Sequence, residues 1–118
     1  MAVLVASIGA GKGSWALIGT LMNAYEWSRI ILVGDDFASK FSHDKNFDFV
    51  LVSESLGIRD ISMIIDSGLG NLGFDDVAVN LVSGSGVLHM ALMIAVLRKG
   101  CGLRFVTVDE TGVIVELA

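Results

Sequence analysis

The strongest constraint on this chain is an alternation. Short runs dense in Val, Ile and Leu recur along it, and most are followed by a longer segment with helical character. Six runs read as strands: Ala2–Ile8, Arg29–Val33, Phe47–Val52, Asp76–Leu81, Leu103–Val108 and Gly112–Leu117. Most are continuously apolar rather than alternating, the mark of parallel strands covered on both faces. Between them, Ser14–Glu26 reads as a helix whose first serine can cap it. Ile58–Leu69 sets Ile58, Ile61, Ile64, Ile65 and Leu69 at helical spacing. Gly86–Lys99 is apolar nearly all round, with a basic last turn that complements the helix dipole. Phe37–His43 reads as a short helix or a loop.

Alternating strands and helices imply a doubly wound α/β sheet, Rossmann-like in its winding. Five parallel strands in the order 3-2-1-4-5 are expected. The Asp109-Glu110-Thr111-Gly112 turn is too short for a crossover helix, so the sixth, C-terminal strand should run antiparallel to the fifth. In this order strands one and four are neighbours, and the crevice at their carboxyl ends is where such folds bind ligands. The 118 residues suffice for one domain, residues 1–118, with one core.

Composition narrows the partners. Hydrophobic residues make up 53% of the chain, and mean hydropathy is +0.72. A chain this short cannot bury so much apolar surface inside itself: either a parallel sheet is covered on both faces or part of the surface meets another subunit, and both are expected, the second as a homodimer. A membrane span is not expected. The longest apolar run, Gly86 to Leu97, contains a histidine and falls short of the ~18 residues a span needs. No basic stretch precedes the first apolar run, so no secretory signal is read there. The single Cys101 leaves no internal disulfide and no cysteine-based zinc site, and fits a cytoplasmic setting. A net charge of −5 argues against a duplex-binding surface. One small anion held by backbone amides stays compatible with that charge.

Two glycine-rich loops stand at the expected crevice. The first, Gly9–Ser14, follows strand one within Ser7-Ile8-Gly9-Ala10-Gly11-Lys12-Gly13-Ser14. Its glycines allow positive φ and close ligand approach, and the following helix offers unpaired amides. Lys12 would add a cation. The second, Ser83–Gly86, follows strand four within Asn80-Leu81-Val82-Ser83-Gly84-Ser85-Gly86 and adds hydroxyls. The ligand-binding set is therefore Ser7, Gly9, Gly11, Lys12, Asn80, Ser83, Gly84, Ser85 and Gly86. The plainer alternative is that the first loop is a tight strand-to-helix turn with a surface lysine and the second a turn with a serine N-cap. Lys12 and His89 are the catalytic candidates, although a hydrogen-bonded core or interface role suits His89 better. His43 is expected in an exposed loop. No metal site and no cofactor are expected. Asp35–Asp36 end strand two, where an acid contacts a ribose or caps the next segment. Met90 and Met93 read as packing residues. Trp15 either stacks on a base or covers the sheet.

Three resemblances attach to these motifs. Ala6-Ser-Ile-Gly-Ala-Gly-Lys-Gly-Ser14 resembles the extended P-loop of adenylate-kinase-like enzymes, with Ala6 in place of the first glycine and Gly13 between Lys12 and Ser14. Gly9, Gly11 and Ser14 resemble a dinucleotide fingerprint that has lost its third glycine, with Asp35 at the ribose distance. The third covers more of the chain. Val3-Leu-Val-Ala-Ser-Ile-Gly9 and Val79-Asn-Leu-Val-Ser-Gly-Ser-Gly-Val-Leu-His-Met-Ala91 resemble the two signatures of CRISPR-associated Rossmann-fold (CARF) domains. That resemblance implies a homodimer binding a cyclic oligoadenylate across its two-fold axis, on these two loops, in antiviral defence. It also implies, for some members, metal-independent cleavage of the ring. After the second turn, Gly86-Val-Leu-His89 carries only the histidine as a polar side chain. The expected function is a stand-alone nucleotide sensor. A P-loop or NAD-type enzyme and a non-catalytic scaffold subunit are the alternatives.

Overall fold

The computed structural model describes residues 2–72 and 76–118. Its sheet has the order β3-β2-β1-β4-β5-β6. The strands are β1 (Ala2–Ile8), β2 (Arg29–Gly34), β3 (Asp48–Leu51), β4 (Asp76–Asn80), β5 (Leu103–Val108) and β6 (Ile114–Glu116). The first five pair in parallel and β6 runs antiparallel to β5. The fold is the α/β doubly wound sheet that the alternation implies. β1 is central and buried along its whole length, from Ala2 to Ile8.

Among the described residues, the α-helices α1 (Lys12–Asn23), α2 (Ile58–Leu69) and α3 (Gly86–Arg98) cover the sheet. Side chains of alternate β1 residues enter opposite cores, as strand geometry dictates. Val3 and Val5 join Ile61, Ile65, Leu88 and Leu92 beneath α2 and α3. Leu4, Ala6 and Ile8 join Ile18, Leu21 and Met22 beneath α1. The two faces thus have separate apolar clusters, and the continuous apolar run of β1 serves both.

Several boundaries differ from expectation for identifiable reasons. α1 begins at Lys12, two residues before Ser14, with Gly11 as its cap residue in extended conformation. Ser14 is therefore inside the first turn, where its hydroxyl donates back to the Gly11 carbonyl at 2.6 Å. The helix ends at Asn23, and the Trp27 indole donates to the Leu21 carbonyl at 3.0 Å. Phe37–His43 contains only a 3-10 turn, Ala38–Lys40. His43 is half-buried rather than exposed: its Nε2 lies 3.2 Å from the Gly19 carbonyl and its Nδ1 accepts from the Lys45 amide at 3.0 Å. On α2, Ile61, Ile65 and Leu69 are buried, while Ile58 and Ile64 are exposed. On α3, Met93 packs against the core but Met90 is 55% exposed. Among the described residues no helix is long and apolar enough to cross a membrane.

Candidate functional site

The register puts the two glycine-rich loops side by side. Ala6 of β1 pairs with Asn80, the last residue of β4, and β1 runs two residues further to Ile8, so the two loops leave the same sheet edge from adjacent strands. The loops are fastened to one another by hydroxyls. The Ser7 hydroxyl donates to the Ser83 carbonyl at 2.5 Å. The Gly9 amide donates to Ser83 Oγ at 2.8 Å, and Ser83 Oγ lies 2.7 Å from Ser14 Oγ. Each hydroxyl has one proton, and that of Ser14 goes to the Gly11 carbonyl. Ser83 must then donate to Ser14. The chain runs Gly9 N–H to Ser83, Ser83 to Ser14, and Ser14 to the Gly11 carbonyl, so Ser83 bridges both ends of the first loop.

Backbone contact completes the fastening. A Cβ on Gly9 would lie 2.8 Å from the Gly84 Cα and 2.9 Å from its nitrogen. Gly9 is needed because the two loops touch backbone to backbone. Gly84 is needed for a different reason, its φ of +100°. Positive φ was expected along the first loop as well. Neither Gly9 nor Gly11 has it, and the first loop turns with ordinary backbone angles.

Several candidate residues thus act on the loops themselves. Ser7 and Ser83 are buried, with their hydroxyls committed as above. Asn80 is buried too. Its Nδ2 donates to the Val106 carbonyl at 2.9 Å, and its Oδ1 accepts from the Val82 amide at 3.2 Å. It ties its own loop to β5, where a ligand contact was expected. His89 is half-buried, its Nε2 2.8 Å from the Ser83 carbonyl. A carbonyl only accepts, so Nε2 carries the proton in this contact. Trp15 backs the first loop: its indole donates to the Gly9 carbonyl, and its ring meets Phe37 and Phe41 at 5.8 and 5.9 Å. The Lys12 side chain lies outside the described parts of the structure; its backbone opens α1.

Over this floor lies a cleft of about 440 Å³, lined by Gly9, Ala10, Gly11, Ser14, Val82, Ser83, Gly84 and Ser85 and flanked by Asp35 and Glu54. The first turn of α1 opens beside it with no side-chain cap and no acidic residue. Helix-start amides lack intrahelical acceptors and carry partial positive charge. Ser85 caps α3, accepting from the Leu88 amide at 3.2 Å, and its hydroxyl donates to Glu54 Oε1. Gly86 opens α3, and a Cβ there would meet nothing within 4 Å. Asp35 stands directly after β2, where Oδ1 accepts from the Ala38 amide at 2.9 Å while the residue lines the cleft. It therefore caps the turn and faces the crevice at once. Glu54 and the bridging role of Ser14 were not anticipated. Glu54 was findable, because it stands three residues beyond β3 at the same carboxyl edge.

A larger groove, about 590 Å³, runs along β3 and α2 and includes Arg29, Asp48, Phe49 and Met63. Arg29 and Asp48 open β2 and β3, so it reaches the amino ends of the strands and is lined by strand and helix residues rather than by the glycine-rich loops. The loop cleft is the better candidate because polar groups converge there at the topological switch point. Among the described residues no cluster of three or more His, Cys, Asp or Glu could hold a metal. The fold and this cleft define a class: a doubly wound α/β domain with a backbone-lined crevice between its first and fourth strands. No protein-family model and no curated protein matches the chain.

Proposed function

We propose that the chain is a cytoplasmic ligand-binding domain, a stand-alone sensor whose two loops hold the phosphate of a nucleotide. A cyclic oligoadenylate is the ligand that the loop signatures favour. The observation carrying this reading is the cleft at the ends of β1 and β4, where the uncapped start of α1 meets two loops already fastened together. Backbone amides can hold a phosphate in a protein of net negative charge. Preorganised loops lose little freedom on binding.

A homodimer is part of the proposal. Val87, Met90 and Leu97 are exposed on α3 and Ile94 is half-buried. Their spacing of three, four and three makes one stripe, and it starts beside the second loop. A two-fold contact through this stripe would bring two copies of the cleft together. Val113, Val115 and Leu117, exposed around β6, are a second apolar surface for it.

One experiment tests the ligand. Cyclic tetra-adenylate should raise Tm by mass action, while ATP with magnesium or NAD(H) should not. A shift only with NAD(H) would favour the dinucleotide reading, for which Asp35 after β2 is the specific support. No shift with any compound would favour a scaffold subunit. Chromatography of the adenylate after incubation without metal tests ring cleavage. Sedimentation that finds only a 12.5 kDa species would remove the dimer.

A further inference from the structure

We propose that the loop cleft continues past Asp35 and Glu54 into a ring subsite, which takes the flat base of a nucleotide whose phosphate lies on the loops. This rests on the loop reading above and extends it.

The two cavities share Asp35 and Glu54. Beyond those carboxylates the cleft widens by about 480 Å³, and its character changes. Phe37, Leu51, Leu56 and Ile64 converge on it. They come from four separate places: the turn after β2, the end of β3, the loop after β3, and α2. All four are 38 to 55% exposed. Scattered exposed apolar residues need no explanation, but a contiguous group lining a concavity marks a binding surface. Ile64 is informative here. Its helix has a buried stripe at Ile61, Ile65 and Leu69, and Ile64 stands off that stripe, lining both this cavity and the groove along β3 and α2. The Phe37 ring is held from two sides, 5.8 Å from the Trp15 ring and 5.2 Å from Lys40 Nζ. An aromatic face so fixed loses little freedom when it contacts a ligand.

Polarity therefore varies in a fixed order along the cleft. Glycine-rich backbone stands at one end, the Asp35 and Glu54 carboxylates at the middle, and Phe37, Leu51, Leu56 and Ile64 at the far end, with Asp36 and Ser53 on its rim. The complementary ligand has an anion, then hydroxyl donors, then a flat apolar ring. That is the order of phosphate, ribose and base in a nucleoside 5′-phosphate unit. The carboxylates add a restriction. Extra negative charge beside Asp35 and Glu54 is repelled, so a monophosphate or a phosphodiester suits the cleft better than a triphosphate.

The test compares AMP, ribose 5-phosphate, ATP and octyl phosphate by titration, following backbone amide shifts in residues 9–14 and 51–56. AMP should bind more tightly than ribose 5-phosphate by on the order of ten-fold or more, the effect of one stacked base. ATP should bind no better than AMP. Leu56→Ser should remove most of the AMP advantage and leave ribose 5-phosphate affinity unchanged. Phe37→Ser should do the same, and circular dichroism would verify that both variants fold. Equal binding of AMP and ribose 5-phosphate at the loop amides would overturn the ring subsite and leave the loop reading standing. Tighter binding of octyl phosphate than AMP would overturn it in favour of an alkyl chain. If none of the four moves residues 9–14, the loop reading fails and the ring subsite with it.

Discussion

The two glycine-rich loops look alike in sequence and are built on different physics. In the first, Gly9 has ordinary backbone angles and is glycine because the opposite backbone lies where a side chain would start. In the second, Gly84 is glycine because its φ is +100°. The first loop is shaped by its neighbour, the second by its own dihedral. Glycine content alone therefore does not say which contacts a loop depends on. The comparison can be broken by substitution.

Gly9→Ala should have the largest effect. The added carbon meets two backbone atoms inside 3.0 Å, and neither can rotate away. The loops must part, which stretches the Ser7–Ser83 and Gly9–Ser83 hydrogen bonds. We expect a loss of about 2–3 kcal/mol in chemical denaturation, with loss of the cyclic tetra-adenylate thermal shift. Wild-type stability in this variant would show that the loops do not depend on one another.

Gly84→Ala should cost less, about 1–2 kcal/mol, mainly for holding an L-residue at positive φ. The added carbon also comes within 2.9 Å of Leu88 Cδ2, the far end of a side chain that can shift. Gly86→Ala is the control, since open space surrounds that position. It should change stability by no more than about 0.5 kcal/mol. Equal losses for Gly84→Ala and Gly86→Ala would remove the role assigned to positive φ.

These differences also mark how far the sequence is legible. The parallel sheet and its antiparallel sixth strand follow from continuous apolar runs and one short turn, while the order 3-2-1-4-5 was expected as a common winding of such sheets. The α2 bounds, Ile58–Leu69, and the full lengths of β1 and β5 coincide with expectation. The start of α1 does not, because Ser14 looks like a cap in sequence. Its hydroxyl goes to Gly11 and Ser83 instead, a choice made by a loop 69 residues away. Ser7, Asn80 and Ser83 illustrate the same limit. Residue type and loop position suggest ligand contacts, whereas burial and partners are tertiary facts. The cleft beyond Asp35 was out of reach for that reason too, since Phe37, Leu51, Leu56 and Ile64 meet only when the sheet is assembled.

Ser83→Ala sharpens the contrast from the side of the hydroxyls. It removes the acceptor of the Gly9 amide and the donor to Ser14. The Ser83 carbonyl keeps its contacts with Ser7 and His89, so the loops should stay adjacent. Gly9 is only half-buried, and water can replace the lost acceptor. The expected loss is about 1 kcal/mol, below that of Gly9→Ala. Denaturation curves of the two variants measured together would check the order. A larger loss for Ser83→Ala would make the hydroxyl, rather than backbone contact, the main fastening.

The smallest effect concerns pH and a third turn, Asp109–Gly112, which serves as the outside reference. It also has a glycine at positive φ, Gly112 at +83°, but it is held by one carboxylate. Asp109 Oδ1 accepts from Thr111 Oγ1 at 2.6 Å, from the Thr111 amide at 2.9 Å and from the Val113 amide at 3.0 Å. These bonds favour the ionised form. The Thr111 hydroxyl is the largest contributor, followed by the Val113 amide, and the pKa falls below the ordinary aspartate value. A folded pKa below the unfolded one means that the contribution to stability is present above the unfolded value, about 3.9. It is lost as pH falls through the lowered folded pKa. The serine bridge between the glycine-rich loops contains no titrating group. Amide resonances of Thr111 and Val113 should therefore move on acidification below about pH 4, while that of Gly9 holds its position until global unfolding. Asp109→Asn should abolish the early movement at the hairpin and leave the loops unaffected. If Gly9 instead moves together with Thr111 in the wild type, the glycine-rich loops are coupled to a titrating group, and Glu54, through its contact with Ser85, is the group to replace next.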